Sequence, residues 1–443
     1  MASGNGDHLV VFTMSYPYSR VGESFLDGEL PHLCMAFGTV TFVPRLYPPP
    51  GERLLRPLPE NVSVETSIMH DAEKESTAVY YLRLALAALA SPAFYAEFRK
   101  NYRSLLHPAG MRKALGYLGI ALDVRGWVAR RVERGLIDPG RTLLYTYWFD
   151  GTALGAALVK RVYPEIRCVS RAHGYDLYAE RYAPPYLPFQ ETRACLLDRV
   201  YTVSEHGRRY LSALHPSYEF RVARLGTGDP GFFASPSVDG VFRIVSCSHL
   251  IPIKRIDLLV RGLAEAGRMW PDREFGWVHI GGGPEQAEME AYADATLPGN
   301  VGCRFTGYVA NAAVLEHYRK NPVDAFINVS ESEGVPVSIM EAESCGIPVI
   351  ATAVGGTPEI VSGATGILLP ENPSPGEIAD AVGRLAADPG GGRAMRSACR
   401  ENWERRYDAD RNFSAFAADL EVLLPVAGRP GRVPETSPRS SPM

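Results

Sequence analysis

Two glutamates, Glu333 and Glu341, stand eight positions apart in SESEGVPVSIMEAESCGIPVIATAVGGTPEIV (residues 330–361), a stretch otherwise dominated by small and apolar side chains. Carboxylates in such surroundings are costly unless a bound group needs them. The preceding run VDAFINVS reads as a buried strand ending near Ser330. Pro336 suits the first turn of a following helix, where its missing N–H is not needed. Cys345-Gly346 suits the helix end, glycine accepting a left-handed cap. The helix N-terminus then falls near Gly334 and Val335 at a strand end, where free N–H groups and partial positive charge favour a phosphate. Were the segment helical throughout, the two carboxylates would lie roughly 12 Å apart along its axis. A carboxylate accepts hydrogen bonds from neighbouring hydroxyls, so one could meet a sugar ring and the other a ribose. The ligand this pattern points to is an extended nucleotide sugar. For either glutamate alone, a cap or a solvated helix face is the plainer alternative.

Such residues need a scaffold to bring them together. HLVVFTMSYP (residues 8–17) and VFRIVSCSHLIP (residues 241–252) both read as buried first strands ended by proline. From residue 241 onward, apolar runs such as EFGWVHIGGGP and IPVIATAVGG alternate with helical patterns such as IDLLVRGLAEAGRMW and NAAVLEHYRKN. The alternation predicts a parallel sheet with helices on both faces. The first half holds similar pieces in RTLLYTYWFD, IRCVSRAHGYD and DRVYTVSE. The expected organisation is an α/β N-terminal domain over 1–228, a Gly/Pro/Ser-rich linker over 229–240 and a second α/β domain over 241–400. A last helix over 401–424 carries Phe413, Phe416, Leu420, Leu423 and Leu424 at helical spacing, and a Pro/Ser/Arg-rich tail over 425–443 is expected to be disordered. Ligands of open α/β sheets bind at the carboxyl ends of the strands, so the site is expected in a cleft between the two sheets.

Composition excludes several classes. The 443 residues are 46% apolar and 22% charged, with 46 basic against 50 acidic side chains and a formal charge of −4. That is an ordinary globular balance, without the basic excess that nucleic acid calls for. The seven cysteines are scattered with no C-x-x-C pair, which argues for reduced thiols and a cytoplasmic setting rather than zinc or a disulfide frame. Neither a signal peptide nor a membrane-spanning run is expected. No strand is followed by G-x-G-x-x-G with an acidic residue at the right distance, which argues against a dehydrogenase.

ESEGVPVSIMEAESCGIPVIAT resembles the signature of the family 4 retaining glycosyltransferases, which have the GT-B fold. In that fold two Rossmann-like domains face each other across a cleft and the C-terminal helix returns to the N-terminal domain. SCSHLIPIKRIDLLV, HIGGGPE and FTGYV continue the resemblance in family order, and YWFDGTAL and SRAHGYDLYAERY resemble bacterial members that build exopolysaccharides of the colanic-acid type. The resemblance implies transfer of a sugar from a nucleotide diphosphate donor to a hydroxyl of a saccharide, a lipid-linked glycan or a small glycoside. It implies retention at the anomeric carbon, with no cofactor and no metal. Lys254 matches the lysine on the donor pyrophosphate, Glu341 the ribose ligand, and Glu333 the residue beside the transferred sugar. Gly282 and Gly283 match the turn where backbone approaches the donor, and Val309, after Tyr308, the place where the base meets main chain. His173 matches the histidine beside the reacting sugar, a lone histidine being otherwise more often a core residue. Gly22 and Glu23 match the loop that approaches phosphate or acceptor.

One position departs from the pattern. Where many members read Gly-Arg-Leu, this chain has Ser248-His249-Leu250, a shorter and only partly charged side chain. The diphosphate charge then falls more heavily on Lys254 and the helix N-terminus. A nucleotide-sugar epimerase of the same fold and a non-catalytic GT-B partner subunit remain as alternatives. The segment 96–134 is rich in arginine and lysine, with Leu115, Leu118, Leu122 and Trp127 among them. Such a segment fits either a peripheral contact with an anionic inner membrane face or an ordinary solvated helix.

Overall fold

Apolar strand sequences come together here as two parallel sheets. The computed structural model describes residues 6–18, 23, 25–46, 56–68, 77–387 and 391–424; Gly22 and the tail 425–443 lie outside them. The first half runs β1 (His8–Thr13), α1 (Leu26–Ala36), β2 (Thr39–Pro44), β3 (Val62–Val64), α2 (Thr77–Leu89), α3 (Pro92–Leu106), α4 (Pro108–Glu133), β4 (Thr142–Thr146), α5 (Gly151–Lys160), β5 (Arg167–Ala172), α6 (Gln190–Leu196), β6 (Arg199–Thr202), α7 (Glu205–Leu214) and β7 (Phe220–Val222). The second runs β8 (Phe242–Cys247), α8 (Ile256–Met269), β9 (Phe275–Ile280), α9 (Gln286–Thr296), β10 (Val301–Phe305), α10 (Asn311–Lys320), β11 (Ala325–Asn328), α11 (Val337–Ser344), β12 (Val349–Thr352), α12 (Thr357–Ile360), β13 (Gly366–Leu369) and α13 (Pro375–Ala387), followed by α14 (Gly391–Arg406) and α15 (Ala409–Glu421).

The sheets have seven strands in the order β3-β2-β1-β4-β5-β6-β7 and six in the order β10-β9-β8-β11-β12-β13. Strand order reverses between β1 and β4 and between β8 and β11, the switch points where such sheets open a crevice. Strands covered on both faces need apolar residues at every position: β4 and β12 are buried throughout. Asp150 caps α5 by accepting from Thr152 N at 2.8 Å, and Ser204 caps α7 by accepting from Gly207 N at 3.0 Å. Glycine lets α4 lie against α5, since a Cβ on Gly155 would stand 2.5 Å from Val124 Cβ.

The chain end returns to the first sheet, as expected. Asp408 caps α15, whose Phe416, Ala417 and Leu420 are buried with Leu9, Tyr145 and Tyr201. The guanidinium of Arg171 on β5 lies 3.9 Å from the centre of the Phe416 ring and 2.7 Å from Glu29 of α1, both charges fully buried. Such a pair locates elements more than it stabilises them, and here it fixes α1, β5 and α15 together. The linker is packed rather than loose: Ala234 N donates to Cys345 O and Ser237 N to Asp324. The apolar side chains of the basic segment also differ from a membrane face. Leu118 and Trp127 are buried in the first-half cores, and Lys100, Lys113 and Arg131 are committed to Glu191, Tyr186 O and Glu65. Among the described residues no helix is long and apolar enough to cross a membrane, and all seven cysteines are unpaired.

Candidate active site

The carboxyl ends of the two sheets meet across a narrow contact. On the second sheet, β8 runs into residues 248–254, β9 into 281–283 and β11 into the loop that carries Glu333. Three backbones, those following β8, β9 and β10, converge there. Gly281 N donates to Gly307 O at 3.1 Å, a Cβ on Gly283 would lie 2.4 Å from Leu250 O, and one on Gly282 would meet Tyr308 N at 3.0 Å. Only glycine permits this approach. His249 Nδ1 lies 3.3 Å from Gly282 O, so the residue replacing the family arginine is tied to the glycine turn. Val309 is partly buried against the second core, beside Tyr308, which is exposed.

Glu333 is not in the helix. Pro336 is extended and caps α11, which begins at Val337, so residues 333–336 form a strand-to-helix loop and only Glu341 is helical. The anticipated axial spacing therefore does not apply. The helix does end as expected: Gly346 has φ +67 and Ile347 N donates to Ala342 O at 2.9 Å. Lys254 Nζ donates to Glu333 Oε1 at 2.5 Å, and Asn328 Nδ2 donates to the same oxygen at 3.3 Å. Burial works to raise the Glu333 pKa, but Lys254, Ser330 and Asn328 outweigh it and hold it below the ordinary carboxyl value. Glu341 is equally buried but lacks a cation, and burial pushes it up to about 7 against the donation from Asn311 Nδ2. One carboxylate of the pair is thus held ionised, while burial drives the other toward its neutral form near neutrality, and hydroxyl groups donating to it would favour its ionised form.

On the first sheet, His173 follows β5. Its backbone N–H donates to Asp176 Oδ1 at 2.7 Å, and both ring nitrogens are buried without a hydrogen-bond partner, Nδ1 standing 3.8 Å from the other Asp176 carboxylate oxygen. The ring packs 4.8 Å from Tyr147 and 4.4 Å from Trp148, whose indole stands 4.8 Å from Tyr175. Glu23 closes the back of this wall. It has φ +57 and accepts from the backbone N–H groups of Met14, Ser15 and Tyr16 and from Trp148 Nε1, at 2.7–2.8 Å. Its carboxylate is filled by the protein itself.

The halves touch at His173-Gly174. A Cβ on Gly174 would lie 3.3 Å from Gly334 N. Alongside, the Glu359 carboxylate accepts from Glu205 N (3.0 Å) and His206 N (2.6 Å), so a residue of α12 caps α7 across the cleft. The structure thus brings Lys254, Glu333, Gly334 and His173 to one contact, with Glu341, His249, Gly282 and Gly283 on the second-sheet side. The local pattern did not single out Asn311, Trp148, Tyr147 or Glu359. Nor did it single out Arg255, which has φ +51 and holds the loop before Glu333 through Val329 O and Ser330 O. Among the described residues no cluster of three His, Cys, Asp or Glu side chains forms a metal-ligand set.

Residues 241–388 match the family model of glycosyl transferases group 1. Over 347 residues the chain is 30% identical to the GDP-mannose-dependent alpha-(1-6)-phosphatidylinositol monomannoside mannosyltransferase of Mycobacterium tuberculosis, covering 73% of this chain and 83% of that protein. The protein of the same description from Mycolicibacterium smegmatis is 29% identical over 336 residues, 70% of this chain and 82% of that one. Sucrose-phosphate synthase from Thermosynechococcus elongatus superposes with a TM-score of 0.67 over 94% of this chain and 99% of that one, at 16% identity, a likeness of fold alone.

Proposed function

The chain belongs to the group 1 glycosyl transferases and moves a sugar from a nucleotide sugar to an acceptor; from that premise we propose that transfer retains the anomeric configuration and needs no metal ion. The observation that carries this reading is the ion pair of Lys254 and Glu333, set beside Gly334 and the imidazole of His173, whose buried ring nitrogens make no hydrogen bond. The donor diphosphate lies between Lys254 and the N-terminus of α11. An ammonium has three N–H donors and Glu333 uses one, so a phosphate oxygen shares the rest. Glu341 takes the ribose hydroxyls, Val309 flanks the base, and the Gly282-Gly283 turn lets main chain reach the diphosphate, with His249 beside it. His173 faces the transferred sugar from the other sheet.

In the reaction the bond from the anomeric carbon to the diphosphate oxygen breaks. The acceptor oxygen bonds to the same face, and its proton passes to the departing phosphate oxygen. The negative charge that builds there meets a fixed ammonium and fixed N–H groups, which stabilise it without reorganisation. Glu23 shapes the loop 14–16 and holds Trp148 in place, and the Trp148 and Tyr175 rings form an amphipathic wall for the acceptor. That acceptor, on the pattern of the mannosyltransferases named above, is a lipid-linked saccharide met at the cytoplasmic face of a membrane during polysaccharide or glycolipid assembly. Neither an epimerase nor a non-catalytic subunit is favoured by the kinship.

The test is transfer from a panel of nucleotide sugars to a lipid-linked acceptor with excess chelator, the product linkage being read by NMR. Product of the donor's own anomeric configuration, formed at an unchanged rate with chelator, is expected. An inverted product, or transfer abolished by chelator and restored by a divalent cation, overturns the proposal.

A further inference from the structure

We propose that the outward faces of α2 and α3 dock the protein on an anionic lipid bilayer. Val79, Leu82, Leu86 and Leu89 recur along α2 at spacings of three and four and are exposed, while Leu84 and Ala88 between them are buried toward the core. On α3, Tyr95, Phe98, Tyr102 and Leu106 repeat the pattern, with Ala93, Glu97 and Leu105 facing inward. The exposed members of both stripes show between 41% and 71% of their surface. The stripes meet at the Ala90-Ser91 turn, where the Tyr95 hydroxyl donates to Leu89 O at 2.7 Å. Two helices whose inner faces are already satisfied thus carry a second apolar face outward. An outward apolar patch of this kind marks an interaction surface.

Charge decides the partner. Residues 77–106 hold four basic side chains, Arg83, Arg99, Lys100 and Arg103, of which Lys100 is paired with Glu191, and a single acid, Glu97. Glu97 is buried and bonded to Tyr186 and Asn101. An apolar face with aromatic residues and a basic rim fits the headgroup boundary of an anionic membrane. A second copy would set the arginines of one stripe against those of the other, because a two-fold interface brings the same patch to itself. Arg99, Lys100 and Arg103 belong to the basic segment 96–134 that the sequence suggested, whereas the apolar residues of that segment on α4, Leu115, Leu118, Leu122 and Trp127, pack inward. Both α2 and α3 pack on α4, which packs on α5, the helix that follows Trp148 in the chain. The inference deepens the lipid-linked acceptor reading and rests on it only for its purpose; vesicle binding itself is independent of transfer.

The full chain is sedimented with phosphatidylcholine vesicles with and without phosphatidylglycerol, beside L82S/L86S and R99Q/R103Q. All three proteins are first matched for unfolding midpoint and for protection by nucleotide. Wild type is expected to bind the anionic vesicles and not the neutral ones, and each double variant to bind them roughly tenfold more weakly or less, with transfer to a short water-soluble acceptor unchanged. Absence of vesicle binding in wild type overturns the proposal. So does equal binding by L82S/L86S, or a wild-type dimer that L82S/L86S dissociates without lipid. Loss of transfer in every protein with vesicle binding intact counts against the proposed function and leaves this surface standing.

Discussion

Glu341→Gln is expected to make the protein more stable above neutral pH and a poorer nucleotide binder at the same time. Burial carries the Glu341 pKa from the ordinary 4.5 to about 7. At about 1.36 kcal/mol per pH unit, keeping that carboxylate ionised in the folded protein costs about 3 kcal/mol. The sign follows from proton uptake. The folded state holds a proton between 4.5 and about 7 that the unfolded state has lost, so this contribution is whole below the unfolded pKa and disappears as pH rises through the folded one. Glutamine keeps an oxygen for Asn311 and never ionises. The variant should therefore match wild type near about pH 4 and exceed it by up to about 3 kcal/mol near about pH 8. Glu343, pushed by burial to about 8, titrates in the same direction but is present in both proteins and cancels in the difference. Nucleotide affinity should move the other way. Ribose hydroxyls donate to the ionised carboxylate, so wild-type affinity grows as pH rises through neutrality while that of the variant stays low and flat. Thermal unfolding across this range, with and without nucleoside diphosphate, measures both. A stability difference that does not change with pH, or equal nucleotide affinity in the two proteins, would refute the reasoning.

Three further outcomes are expected. Lys254→Met leaves the buried Glu333 carboxylate without its cation, a loss of about 3 kcal/mol. Because Lys254 holds the Glu333 pKa down, that loss is full above the ordinary carboxyl pKa and shrinks as pH falls below it. The variant should also lose more affinity for nucleoside diphosphate than for nucleoside, and an unchanged ratio removes Lys254 from the site. His173→Ala should cut transfer by roughly a hundredfold, the order seen when one positioned donor is lost, with nucleoside diphosphate affinity unchanged; normal specific activity in the folded fraction shows a core role instead. Glu359→Gln weakens two charge-assisted hydrogen bonds to the start of α7, by about 1–2 kcal/mol. It should enlarge the radius of gyration in small-angle scattering, and a profile identical to that of wild type shows that Glu359 does not hold the cleft closed.

The alternating α/β plan was legible because strands buried on both faces must be apolar at nearly every position, so β4 and β12 announce themselves without reference to anything distant. Local chemistry was equally legible where it depends on near neighbours: Gly346 closing α11, the helical spacing of Phe413, Phe416 and Leu420, and a Glu333–Glu341 pair in a segment with no local use for charge. Pro336 set the limit of that reading. It was expected inside the first turn, but it is extended and keeps Glu333 out of the helix. Everything that gives the glutamates different characters was decided by tertiary structure. Lys254 reaches Glu333 from 79 residues away and Asn311 reaches Glu341 from 30, so one carboxylate is held ionised and the other is driven toward neutral. Trp148 and His173 share a wall because β4 and β5 are neighbours in the sheet. The stripes of α2 and α3 carry the same periodicity as a core helix, and only packing shows that their inner faces are already satisfied. The reason is common to all of these. Periodicity is a property of a few consecutive residues, whereas burial, charge pairing and exposure depend on which strands and helices come to lie side by side.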